Sequence, residues 1–178
     1  MSTDAISALV NLASNVHSSF TALFFAIGGL LAVTGVIQAV SKEATLARQV
    51  PGHNGTGKVV GVLLFCGMLA ALQQVIGAGS RQFGWSGATF DEVSYVSEST
   101  FGVAAQAANA ALTLIQTLGV VFCLMGVLRM KRAMKDGHTG LSAGEDVSSG
   151  IVRFITGVFA VCAPTLLDAL QNSLGIAF

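Results

Sequence analysis

The stretch of this sequence with the most chemical promise is Gly52-His53-Asn54-Gly55-Thr56-Gly57-Lys58-Val59. A phosphate-binding loop reads G-x-x-x-x-G-K-[ST]: backbone amides cradle the phosphates, the lysine meets their charge, and the final hydroxyl ligates magnesium. Gly52, Gly57 and Lys58 fall in register, but Val59 has no hydroxyl to offer. Such a loop must also leave a buried strand, whereas here Pro51-Gly52 comes before it and the apolar run VVGVLLFCGMLAAL follows it. The stretch is therefore predicted to be a glycine-rich turn between two apolar helices. Asn54-Gly55-Thr56 is also a glycosylation sequon, which matters only in a secretory lumen, and nothing else in the chain points there.

Other reactive side chains are scattered. His17, His53 and His138 form no His-x-x-x-His or Glu-x-x-His pair; two read as loop residues and His17 as interfacial. Cys66, Cys123 and Cys162 lie singly inside apolar runs, where cysteine behaves as a small hydrophobe. Serine and threonine nucleophiles lack an evident base. The expectation is a non-enzyme with no cofactor and no metal.

The elements that carry these residues are those of a membrane protein. Of 178 residues, 53% are hydrophobic and 10% charged, far below the charged share of about 25% in soluble domains. Nine Lys and Arg balance nine Asp and Glu. Ala5–Ser41, Val59–Ser80 and Ser99–Leu128 hold no charge at all, and roughly 20 apolar residues cross a hydrocarbon core. Spans are predicted near Phe20–Val40, Val59–Gly79 and Gln106–Leu128, with a fourth near Gly150–Leu170 flanked by Arg153 and Asp168 and interrupted by Pro164. The fold class expected is all-α and integral to the membrane: four helices as two tandem hairpins with basic cytoplasmic loops. Its parts are an amphipathic lead-in (1–19), a first hairpin (20–79), an acidic extracytoplasmic loop and approach (80–105), and a second hairpin (106–178).

Charge placement gives the orientation. Lys42, Arg48 and Lys58 lie between spans one and two, and Arg129, Lys131, Arg132 and Lys135 between spans three and four, so the positive-inside rule puts both loops in the cytoplasm. The middle loop is acidic, with Asp91, Glu92 and Glu98, and holds the only Trp and Tyr, Trp85 and Tyr95, as interface anchors. No positively charged leader precedes the first apolar run, so no cleavable signal peptide is expected.

Small residues recur where helices could approach closely: Gly28 and Gly35 in span one, Gly57, Gly61 and Gly67 in span two, Gly119 and Gly126 in span three. Gly28 and Gly35-Val36-Ile37 match Gly119 and Gly126-Val127-Leu128; Leu69–Gly77 resembles Leu167–Gly175; His53-Asn54-Gly55 pairs with His138-Thr139-Gly140. Their shared order suggests two copies of one helical hairpin. Glutamines at 38, 73, 74, 106, 116 and 171 could add hydrogen bonds between helices.

Four spans, the basic loops SKEATLARQVPGHNGTGK and RMKRAMKDGHTG, and the acidic middle loop together resemble the small multi-pass membrane proteins of type IVB secretion and I-type conjugation systems, the DotE/IcmC and TraQ group. Each half also resembles a conjugative pilin, a pair of apolar helices joined by a basic turn. The resemblance implies a non-catalytic subunit of a bacterial conjugation or secretion apparatus in the inner membrane, or a pilin-like subunit of an extracellular, lipid-associated tube. Its implied partners are copies of itself, phospholipid, other secretion subunits and single-stranded DNA held without sequence specificity. Lys42, Arg48, Lys58, Arg129, Lys131, Arg132 and Lys135 would then line a lumen or phosphate-binding surface, or serve only to fix topology. A stand-alone channel, holin or transporter-like protein is the second reading, with only Arg153 and Asp168 as intramembrane ionisable groups.

Overall fold

The computed structural model describes residues 2–49, 56–97, 102–134 and 140–175. Its regular structure there is entirely helical: α1 (Ser2–Gln49), α2 (Thr56–Ala70), α3 (Leu72–Gln82), α4 (Val103–Arg132), α5 (Gly140–Val161) and α6 (Ala163–Leu174). An irregular segment, 83–97, joins α3 toward α4. Residues 2–19 are helical and continuous with the rest of the 48-residue α1, about 70 Å long at 1.5 Å per residue.

The exposure pattern of α1 is inverted relative to a soluble helix. Its buried stripe is small or polar, namely Ala13, His17, Thr21, Gly28, Ala32 and Gly35, while Phe20, Leu23, Leu30, Val33, Ile37 and Val40 face outward. Leu30 is 66% exposed. In water each such side chain would forgo roughly 1.5–3 kcal/mol of burial, whereas in hydrocarbon it loses nothing. α1 and α4 are long and apolar enough to cross a membrane, and the number rises to four if each of two bent helix pairs is one span. The chain has the build of a membrane protein.

Those bends change the expected spans. The uncharged run Val59–Gly79 does not form one helix: at Ala71 it turns, and α3 leaves α2 at 89°. The turn keeps Gln73, Gln74 and Arg81 on the exposed side of α3, while Leu72 and Ile76 are buried and Gly79 lets Val158 of α5 approach. The helix that holds most of the predicted fourth span starts earlier, at Gly140, and breaks at Cys162, after which α6 departs at 72°. Pro164 in the first turn of α6 explains this break, since its ring clashes with a preceding helical carbonyl and it has no N–H to give. Gly175, in the left-handed region at φ 64°, closes α6 by donating its N–H to the Gln171 carbonyl.

Packing joins α1 to α2 and α4 to α5, each pair antiparallel. In the second pair the helices touch backbone to backbone. A Cβ on Gly119 would stand 2.7 Å from Val161 N and 2.8 Å from the Gly157 carbonyl oxygen, and one on Gly126 would stand 2.7 Å from the Gly150 oxygen. Gly150 and Gly157 are hemmed in reciprocally by Gly126, Met130, Gly119 and Cys123. Two glycines seven residues apart on each helix thus form one seam, a spacing that returns to the same face every two turns. In the first pair, Gly28 lies against the Leu69 carbonyl oxygen, 3.0 Å from where a Cβ would be, and Gly35 faces side chains rather than a backbone. The two units run side by side and parallel, since His17 meets Thr117 and Leu31 meets Lys131.

The correspondence between the units keeps a constant offset. Gly28 and Gly35 recur 91 positions on as Gly119 and Gly126, and the helix breaks at Ala71 and Cys162 are separated by the same 91. The resemblance of Leu69–Gly77 to Leu167–Gly175 does not follow it: the first stretch contains its helix break, and the second lies beyond one. The His53-Asn54-Gly55 motif lies outside the described residues, as do His138 and Thr139.

Candidate functional site

The basic residues that could form a phosphate-facing surface do not share one environment. In α4, Arg129 and Arg132 are three apart and share a face, which places both on the buried Asp146 of α5: Arg129 Nε donates to Asp146 Oδ1 at 3.1 Å, and Arg132 Nε lies 3.9 Å from Oδ2. Two cations on one carboxylate leave a net positive charge at the C-terminal end of α4, where the helix dipole favours it. Lys131 points elsewhere. Its ammonium donates to the Leu31 carbonyl oxygen of α1 at 3.3 Å and occupies the space that a side chain on Gly35 would fill, beside Cys66. It ties the two helix pairs together. Lys42 and Arg48 are exposed on the last turns of α1. Lys58 belongs to α2, with its side chain outside the described residues, and Lys135 is outside them altogether.

The predicted packing glycines divide in the same way. Gly28, Gly35, Gly119 and Gly126 stand at close approaches, and Gly61 meets the Met134 sulfur, 3.1 Å from where a Cβ would be. Gly57 and Gly67 have nothing within 4 Å of that position, so neither serves a contact within the chain among the described residues. Gly150 and Gly157 were not singled out by the sequence reading, although their seven-residue spacing repeats that of Gly119 and Gly126.

A second polar site, at the opposite end of α4, was missed. Asn109, Thr113, Gln116 and Thr117 follow one another at intervals of four, three and one, a polar stripe on an otherwise apolar helix, and they hold the segment 89–96 against it. Asn109 Oδ1 accepts from the backbone N–H groups of Tyr95 (3.1 Å) and Val96 (2.8 Å), and its Nδ2 donates to the Val96 carbonyl oxygen at 3.0 Å. Thr113 Oγ1 accepts from Val93 N at 3.1 Å, and Gln116 Nε2 donates to the Thr89 carbonyl. Gln116 therefore anchors a loop, not another helix. His17 is 2% exposed; one ring nitrogen donates to the Phe90 carbonyl oxygen at 2.9 Å and the other bonds Thr117 Oγ1 at 2.8 Å. Each such bond contributes on the order of 1 kcal/mol, and together they hold the irregular segment against α4 and α1.

Aromatic contacts complete this end. Trp85 packs on Phe159 of α5, ring centroids 5.4 Å apart, with Phe83 against both. Tyr95 lies beside Asp168 of α6, and burial and that carboxylate raise its phenol above the ordinary value of 10.0. Among the described residues no group of three or more His, Cys, Asp and Glu could hold a metal, and the three cysteines are buried. The polar contacts at this end hold helices and a loop together.

No family model, no curated protein and no solved structure matches the chain.

Proposed function

We propose that this chain is a structural, non-catalytic subunit of a membrane-embedded assembly, of the kind found in bacterial conjugation and type IV secretion. The observation that carries the structural part is the inverted packing of α1: its interior face is small and polar, and its large apolar side chains from Phe20 to Val40 point away from the rest of the chain. A backbone locked by glycine contacts, with an outward apolar surface, suits a part that others are built upon. The sequence layout supports the choice of apparatus, and the two parallel units support the pilin-like form, in which each unit supplies one apolar hairpin.

In that setting Lys42 and Arg48, exposed on α1, are the bases best placed to meet lipid or nucleic-acid phosphate. Arg129, Lys131 and Arg132 serve the structure instead, through Asp146 and Leu31. The test is electron microscopy of material sheared from cells expressing the native locus, with peptide mass spectrometry on the same fraction. Tubes containing this chain support a pilus subunit. Tubes made of another protein, with this chain confined to the inner membrane, reject the pilin form and leave an assembly component. Dissipation of a dye or pH gradient by the purified protein alone in liposomes would favour a stand-alone channel and overturn the proposal.

A further inference from the structure

α3 and α6 follow equivalent breaks, yet they dispose of their apolar faces differently. α3 buries Leu72 and Ile76 in the protein core, whereas α6 buries nothing. On α6, at 100° per residue, Leu166, Leu167, Leu170 and Leu174 fall within one arc of about 100°, and Asp168 and Asn172 lie on the opposite side. Leu170 is 50% exposed and Leu174 69%.

Two observations say what covers that face. The first sets its height. Val161, the last residue of α5, packs on Gly119, two positions along α4 from Thr117, which bonds His17 and through it Phe90 of the irregular segment. The break at Cys162 is therefore level with the point where irregular, hydrogen-bonded backbone begins, and such backbone does not face lipid. The second is the direction of α6. It leaves α5 at 72°, so where α5 runs along the membrane normal α6 runs close to the membrane plane, with Leu167, Leu170 and Leu174 facing away from the protein. On the opposite edge the Asp168 carboxylate acts on Tyr95 of the same irregular segment, favouring its neutral form.

We infer that α6 lies in the membrane interface, with its leucines in the headgroup–acyl boundary of the bilayer and its polar edge under the 83–97 loop. The occupant of the open face is lipid. α6 carries no cation, so binding depends on the acyl region and not on anionic headgroups. A helix held this way would stop α5 from sliding along its glycine seam and would fix the depth of the second pair. This inference rests on the membrane reading above.

The test places one tryptophan at a time in a Trp85→Phe background, at Leu170, at Asn172 or at Leu30, and reads quenching in nanodiscs of lipids brominated near the headgroup end or near the chain terminus. Leu30→Trp, on the outward face of α1, is the control: quenching there by chain-terminal bromine establishes embedding, and its absence would defeat the membrane reading itself. With that control positive, Leu170→Trp is expected to be quenched about twofold or more better by the shallow bromine, because an interfacial helix sits about 5–10 Å into the boundary. Asn172→Trp should respond to aqueous iodide instead. Stronger quenching at Leu170→Trp by the deep bromine would make α6 part of a span and overturn the inference. Protection of that site from both bromine and iodide would show protein on the face, and would overturn it equally.

Discussion

The two helix pairs are built on the same glycine spacing and closed by different means. In the second, glycines stand on both helices, and backbone meets backbone at Gly119–Gly157 and Gly126–Gly150. In the first, the glycines at the close approaches stand only on α1, and the facing positions carry Cys66 and the Leu69 carbonyl, with Lys131 inserted from α4. Backbone cannot yield, and a long side chain can. The second pair's seam is therefore the less yielding and the first's the more adjustable, the two pairs sharing one apolar core, the His17–Thr117 bond and the Lys131 ammonium.

Substitutions test that contrast in order of expected effect. Gly157→Ala places a methyl 2.7 Å from Cys123 N and the Gly119 oxygen, so the helices must separate; a loss of about 1–3 kcal/mol is expected, measured by denaturant titration in bicelles. Asn109→Ala leaves the amides of Tyr95 and Val96 without their acceptor and should cost about 1–2 kcal/mol, with faster hydrogen exchange across residues 93–96 and no change in α1 or α2. Gly35→Ala meets only the ends of Lys131 and Cys66, which can shift to another rotamer at about 0.5–1.5 kcal/mol. Its signature is a more reactive Lys131 amine in lysine-labelling mass spectrometry. Gly67→Ala, with nothing within 4 Å, should reverse the sign and stabilise by about 0.5–1 kcal/mol, since alanine loses less entropy in a helix. Equal losses at positions 157, 35 and 67 would erase the distinction between the pairs.

A pH experiment sharpens the same comparison at the helix that only the second pair leaves open. Tyr95 is the single tyrosine, so its ionisation can be followed by ultraviolet absorbance. Burial and Asp168 favour its neutral form, which places the midpoint above 10.0 in the folded protein. The sign follows: the contact stabilises the fold below the unfolded value, and that contribution is lost as pH rises through the raised one. Asp168→Asn should bring the midpoint down toward the ordinary value. An unchanged midpoint would separate α6 from the loop.

Much of this architecture was legible in the sequence because membrane-length apolar runs leave few choices. α1 and α4 enclose the predicted spans at Phe20–Val40 and Gln106–Leu128, and the glycines at 28, 35, 119 and 126 are at the close approaches expected of them. The bend at Ala71 was not visible, because no proline or charge marks it; only the polar pair Gln73-Gln74 hinted that a straight helix would bury them. Pro164 did mark the second break. The basic residues were legible as a group and not as individuals: Arg129 and Arg132 share a face by spacing, but nothing local foretold that Asp146 would come to them from α5 or that Lys131 would find the slot at Gly35. The partners of His17 were hidden for the same reason, Phe90 and Thr117 being 73 and 100 residues away.

The measurement closest to the central claim is a spin-label scan of α1 from Phe20 to Val40, in nanodiscs, with Cys66, Cys123 and Cys162 replaced by alanine. The account predicts accessibility to oxygen at Leu23, Leu30, Val33 and Ile37, little access for an aqueous nickel reagent there, and protection from both at Thr21 and Ala32. Nickel accessibility at Leu30 and Val33 would contradict it, since those side chains would then face water and the chain would not be a membrane-embedded scaffold.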